Sequence, residues 1–129
     1  MSHHSSKVEV DRPLSPEEFA LVGWLLRHGN GGNSEFLAQL QSARVSSLCN
    51  CGCASIDFSV SGQLPAATGM RTLSEYQWRN ALGHLQGAYV FERNGLLAGL
   101  DLWSIDGQST PDTLPPIDQL APLGSPSQV

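Results

Sequence analysis

From Leu14 the apolar positions follow a helical period. Ser15 stands as an N-cap, Pro16 takes the first helical position, and Glu18, three residues after the serine, completes a capping box. Leu14 and Phe19 occupy the two positions of a hydrophobic staple. The pattern predicts a helix from Glu17 to about His28, with Phe19, Val22, Leu25 and Leu26 on its buried stripe and Gly29 as its stop. Arg27 and His28 fall in the last turn, where the helix dipole favours positive charge. After the glycine-rich joint Asn30-Gly31-Gly32-Asn33, a shorter helix is predicted over about Ser34 to Ser42, with Phe36, Leu37 and Leu40 inward.

From Ala43 the period changes. Arg44 to Cys49 reads as a strand, and Ala54 to Val60 reads as a second, in which Ile56, Phe58 and Val60 alternate with Ser55, Asp57 and Ser59. Residues 61–72 read as an irregular loop, and Leu73 to about Leu82 as a short helix with Leu73, Tyr76 and Ala81 on one side. Ala88 to Arg93 and Leu96 to Ile105 flank Asn94-Gly95, the strongest short signal for a β-hairpin, because a type I′ turn needs positive φ at both central residues. Gly99 interrupts the return strand and marks a bulge or a close backbone approach.

These elements predict an α+β two-layer sandwich: a four-stranded antiparallel sheet made of two hairpins, with helices packed on one face. The expected organisation is a flexible tail over residues 1–11, one domain over 12–107 and a Pro-rich arm over 108–129 that crosses the domain as far as Leu120 or Leu123. Ile56, Phe58, Val60, Val90, Leu100 and Leu102 are expected to face the helices. Asp57, Tyr89, Phe91, Asp101, Trp103 and Ile105 then fall on the opposite face. That second face is unusually apolar for open solvent, and the arm or a second subunit is the expected cover.

Charge narrows the partners. Twelve acids stand against seven bases, a net charge of −5, and the bases are scattered singly. Phosphate binding wants clustered Lys and Arg, so nucleic acid is not an expected partner and the two short helices are not read as a DNA-binding pair. No apolar run approaches the roughly 20 residues of a membrane helix, and the polar N-terminus lacks the apolar core of a signal peptide. The expected setting is the cytoplasm, with the cysteines reduced.

Chemistry centres on Cys49, Cys51 and Cys53. Alternate spacing puts extended side chains on one face, so two thiolates reach one metal, and Gly52 permits the tight turn a third would need. Zinc would then take a fourth ligand from His28 or His84. The competing reading is that Cys49 and Cys53 are small core residues beside a turn. A redox role lacks the Cys-x-x-Cys spacing and a following helix. Asp57 and Asp101, with Arg79 or His84 nearby, form the other candidate, a ligand pocket or small hydrolase site. No Gly-x-Ser-x-Gly elbow or phosphate loop is present.

The segments Arg12-Pro13-Leu14-Ser15-Pro16-Glu17-Glu18, Trp24-Leu25-Leu26, His28-Gly29, Phe36-Leu37, Gln39-Leu40, Cys51-Gly52-Cys53-Ala54-Ser55-Ile56-Asp57-Phe58 and Gly95-Leu96-Leu97-Ala98-Gly99-Leu100-Asp101 together resemble a family of small uncharacterised bacterial proteins over about residues 12–118. The resemblance implies a compact bacterial domain and transfers no catalytic residue. The functional expectation is a non-enzymatic interaction module, self-associating or binding a protein partner as an immunity protein does, through Tyr89, Phe91, Trp103 and Ile105. The alternatives are metal binding at the cysteines and a pocket around Asp57 and Asp101.

Overall fold

The computed structural model describes residues 7–50 and 52–125. Its elements, in chain order, are β1 (Lys7–Pro13), α1 (Pro16–Arg27), α2 (Ser34–Leu40), β2 (Ala43–Cys49), β3 (Ile56–Val60), β4 (Met70–Arg79), β5 (Leu85–Arg93), β6 (Leu96–Ser104), a single 3₁₀ turn (Ile117–Gln119) and β7 (Ala121–Pro122). All strands join one antiparallel sheet in the order β1-β2-β3-β6-β5-β4-β7. The chain is therefore mostly sheet. The expected four-stranded layer of two hairpins is replaced by seven strands with only two helices among the described residues.

Three strands account for the difference. Lys7 to Asp11, expected in the loose tail, belong to β1, which pairs with β2 around a bulge between Glu9 and Arg12. Val8 and Val10 do alternate with charged residues, but five positions at a terminus are a weak signal. Residues 73–79, expected as helix, lie in β4. There Ser74, Tyr76 and Trp78 pair with Val90, Ala88 and Gln86, while a bulge at Leu73 shifts the phase. The polar Ser74 points inward and Gln77 is buried, so strand alternation is blurred and the Leu73/Tyr76 spacing imitates a helical turn. The third strand, β7, is two residues of the arm paired with Tyr76 and Gln77.

The first two expected helices form. Ser15 accepts from the Glu18 N–H at 3.1 Å, and the Glu18 carboxylate accepts from the Ser15 N–H at 2.8 Å, so the capping box closes in both directions. The buried stripe is Leu21, Val22, Leu25 and Leu26, whereas Phe19 stays 39% exposed. Arg12 on β1 forks onto Glu18 at 2.9 and 3.0 Å and ties the first strand to the helix start.

Both helices share one buried core with Ile56, Phe58, Val60, Val90, Leu100 and Leu102. The arm joins this core through Leu114, Ile117 and Leu120, while the Ala54 N–H donates to the Pro111 carbonyl at 2.9 Å. The arm thus covers the face that the helices cover, and not the opposite one.

Burial pushes the Glu18 carboxyl up, but the Arg12 guanidinium and the Ser15 backbone N–H outweigh it and hold the group below its ordinary value. A carboxyl lowered on folding contributes stability above its unfolded value of about 4.3, and that part is lost as the pH falls through the folded value. Urea unfolding followed down through about pH 4 should therefore show a steeper loss for wild type than for Glu18→Gln. Ser15→Ala should cost about 1 kcal/mol at neutral pH.

Candidate functional site

The hairpin of β5 and β6 sets out the face turned away from the core. Asn94 and Gly95 both have positive φ, 51° and 87°, as the type I′ turn requires. A bulge follows: Glu92 pairs with Leu97 and Phe91 with Gly99, so Ala98 is the additional residue. Beyond it Tyr89 faces Asp101 and Gly87 faces Trp103. These residues alternate with the core residues Ala88, Val90, Leu100 and Leu102, and so share the outer face. Asp57 joins them, because it pairs with Gly99, two residues before Asp101.

Two aromatics lie over glycines. A Cβ built on Gly99 would stand 2.8 Å from both the Phe91 ring and the Ile56 carbonyl oxygen. A Cβ on Gly87 would stand 2.6 Å from the Trp103 ring nitrogen and 3.2 Å from Ile105. Phe91 is consequently 7% exposed, while Trp103 remains 36% exposed and Tyr89 and Ile105 are half-buried. Of the four expected interface residues, then, Phe91 is already sealed within the chain.

The face is grooved. A trench of about 680 Å³ runs between β1–β3 and the loop after β3, with Lys7, Asp11, Arg44, Asp57, Leu64 and Arg93 in its walls. A smaller pocket of about 170 Å³ adjoins it, with Lys7, Asp57 and Arg93 common to both, and adds Met70, Tyr89 and Asp101. The two carboxylates singled out in the sequence are thus brought together. Arg79 and His84 line neither cavity; Lys7 and Arg93 are the basic neighbours instead.

Each carboxylate already has hydrogen-bond partners. Asp57 accepts from the Lys7 ammonium at 2.6 Å and the Ser47 hydroxyl at 2.7 Å. Asp101 accepts from the Tyr89 hydroxyl at 2.7 Å on one oxygen and from the Ser55 hydroxyl at 2.9 Å on the other. Burial, and then the neighbouring Asp101, push the Tyr89 hydroxyl well above the ordinary tyrosine range. Tyr89 is therefore a neutral donor and no base.

The cysteines border this network. The Cys53 thiol donates to the Ser55 oxygen at 3.3 Å, and Cys49 lines the smaller pocket. Cys49 is disulfide-bonded, so the expectation of reduced thiols fails at that position. Cys51 lies outside the described residues. Among the described residues no group of three His, Cys, Asp or Glu side chains is placed to hold a metal.

One polar cluster had no sequence signal. The Ser109 hydroxyl lies 3.0 Å from His84 Nδ1 and accepts from the side-chain amides of Asn80 at 3.1 Å and Gln86 at 3.2 Å. With the imidazole accepting, Ser109 donates its proton and both its lone pairs are occupied, which leaves nothing to attack a carbonyl. Neither cavity reaches it. The cluster pins the start of the arm to the β4–β5 turn.

No family model, curated protein or solved structure matches the chain. The resemblance to small bacterial proteins therefore brings no residue role to this site. Among the described residues, no helix is long and apolar enough to cross a membrane.

The two glycines should respond differently to alanine. Gly99→Ala meets a backbone carbonyl that cannot yield and should lose about 1–3 kcal/mol in urea unfolding. Gly87→Ala meets the partly exposed Trp103, which can swing outward. It should cost less and shift tryptophan fluorescence to the red. Ser109→Ala leaves the Asn80 amide unpartnered, while the Gln86 amide keeps the Ser109 carbonyl, and should cost about 1–3 kcal/mol by the same measurement.

Proposed function

We propose that the protein is a non-enzymatic binding module that receives a protein partner, another chain or a second copy of itself, on the outer sheet face. One observation carries the reading. Both helices and the C-terminal arm pack into the same core, and the opposite face, which holds a trench of about 680 Å³ and a Trp103 that is 36% exposed, receives neither helix nor arm among the described residues. Isolated apolar residues are ordinary on protein surfaces. A grooved sheet centre with an aromatic anchor resembles a recognition surface more closely. The interface residues are then Trp103, Ile105 and Tyr89, with the buried Phe91 packed against Tyr89.

The carboxylates support binding over catalysis, since Asp57 and Asp101 are both engaged by neighbours and Tyr89 is held neutral. Zinc plays no part in this reading, and neither nucleic acid nor a membrane is a partner. The cytoplasm is kept as the setting, where a reducing milieu would open the Cys49 disulfide.

Photo-crosslinking in cells tests the proposal. A photoreactive side chain at Trp103 or Ile105 should trap a defined second chain, whereas the same group at Glu17 on the exposed side of α1 should not. Equal, diffuse labelling from both sides would overturn it.

A further inference from the structure

The smaller pocket has an unusual balance of charge. Its ionic lining is Lys7, Asp57, Arg93 and Asp101. Lys7 and Asp57 neutralise one another at 2.6 Å. The remaining two are one cation and one anion, and neither enters any of the four salt bridges among the described residues. Both are half-buried, and an arrangement that leaves one charge of each sign in a pocket is suited to a ligand that brings both.

The geometry of each group fits that role. Arg93 donates one N–H to the Ala67 carbonyl at 2.8 Å and lies 5.4 Å from the Phe91 ring centroid. Anchored in this way, the planar guanidinium keeps further N–H groups for a two-oxygen anion. Its position over Phe91 carries the charge back along the strand, and its field reaches Tyr89. Asp101 stands at the other end, fixed by Tyr89 and Ser55, each taking one lone pair of one oxygen. A carboxylate so held retains two lone pairs for an ammonium. Met70 and Phe91 supply apolar surface between the two poles. The volume of about 170 Å³ equals roughly five or six waters, enough for a small organic molecule and too little for a peptide.

We propose that this pocket binds a small zwitterion of the α-amino-acid class, its carboxylate on Arg93 and its ammonium on Asp101. The site goes beyond the partner surface and does not depend on it, since a pocket for a free small molecule stands or falls without any second protein.

The test is a titration of the isotope-labelled full chain followed by NMR, with four probes: L-alanine, L-serine, N-acetyl-alanine, which lacks the ammonium, and alaninamide, which lacks the carboxylate. Alanine or serine should move the signals of Arg93, Tyr89 and Met70 in a saturable manner, and each single-charge analogue should bind at least about tenfold more weakly. Arg93→Gln and the nearly isosteric Asp101→Asn should each weaken alanine binding by about tenfold or more. Arg44→Gln, which alters a base already paired with Asp11 in the adjoining trench, should leave it unchanged. Equal binding of the single-charge analogues, or no saturable shift up to about 10 mM amino acid, would overturn the proposal using wild-type protein alone. Folded Arg93→Gln and Asp101→Asn variants that bind normally would overturn it as well. A failed crosslink at Trp103 would leave this result intact, so the two readings fail separately.

Discussion

The register of the β5–β6 hairpin is the constraint on which the remaining geometry hangs. A strand displaced by one residue turns its whole apolar set to the opposite face. Here the Asn94-Gly95 turn fixes the start, and the bulge at Ala98 then advances β6 by one place. That single advance is what brings Leu100 and Leu102 to the core face together with Ala88 and Val90. Without it Tyr89 would oppose Leu100, an outward residue set against an inward one. With it, Tyr89 meets Asp101, Phe91 meets Gly99 and Trp103 meets Gly87. The core and the outer network are two consequences of one insertion.

The same pairing decides how adhesive the outer face is. An aromatic ring set opposite a glycine has a flat backbone to lie on, and Phe91 uses that space to become buried beneath the Arg93 guanidinium. Trp103 over Gly87 is larger than its bed and stays partly in water. The face is thus less greasy than alternation alone suggests, because alternation counts side chains and takes no account of what lies beneath them. Its recognition capacity rests on shape and on placed charge as much as on apolar area.

The features legible in the sequence were those encoded by neighbours. The Ser15/Glu18 box and the Asn94-Gly95 turn each require residues of fixed type within four positions, and both appear as read. The outer placement of Asp57, Tyr89 and Asp101 was legible for the same reason, as simple parity along well-marked strands. What stayed hidden depends on partners distant in the chain. β1 has its meaning only once β2 is beside it, and the inward Ser74 and buried Gln77 of β4 conceal its alternation. Lys7 is 50 residues from Asp57, and Arg93 is anchored by a loop 26 residues earlier. No spacing rule connects such groups. Ser109 likewise meets His84 only because the arm turns back across the sheet end.

The arm's route bears on the outer face. A proline-rich segment has few backbone donors, so it suits a path on which side chains, and not a hydrogen-bonded ladder, supply the contact. Leu114, Ile117 and Leu120 take that path into the core, and pairing is confined to Tyr76 and Gln77 at the very end. Those residues pack against the core and not on the opposite side. Its cover must come from outside the described chain, or the face must remain wet. The polar network there is consistent with either state: Asp57 and Asp101 hold hydrogen bonds within the chain that need neither partner nor solvent to persist. A surface built in this manner can be uncovered without collapsing and covered with Asp57 still paired to Lys7, which is what reversible binding demands and what a permanent interface does not.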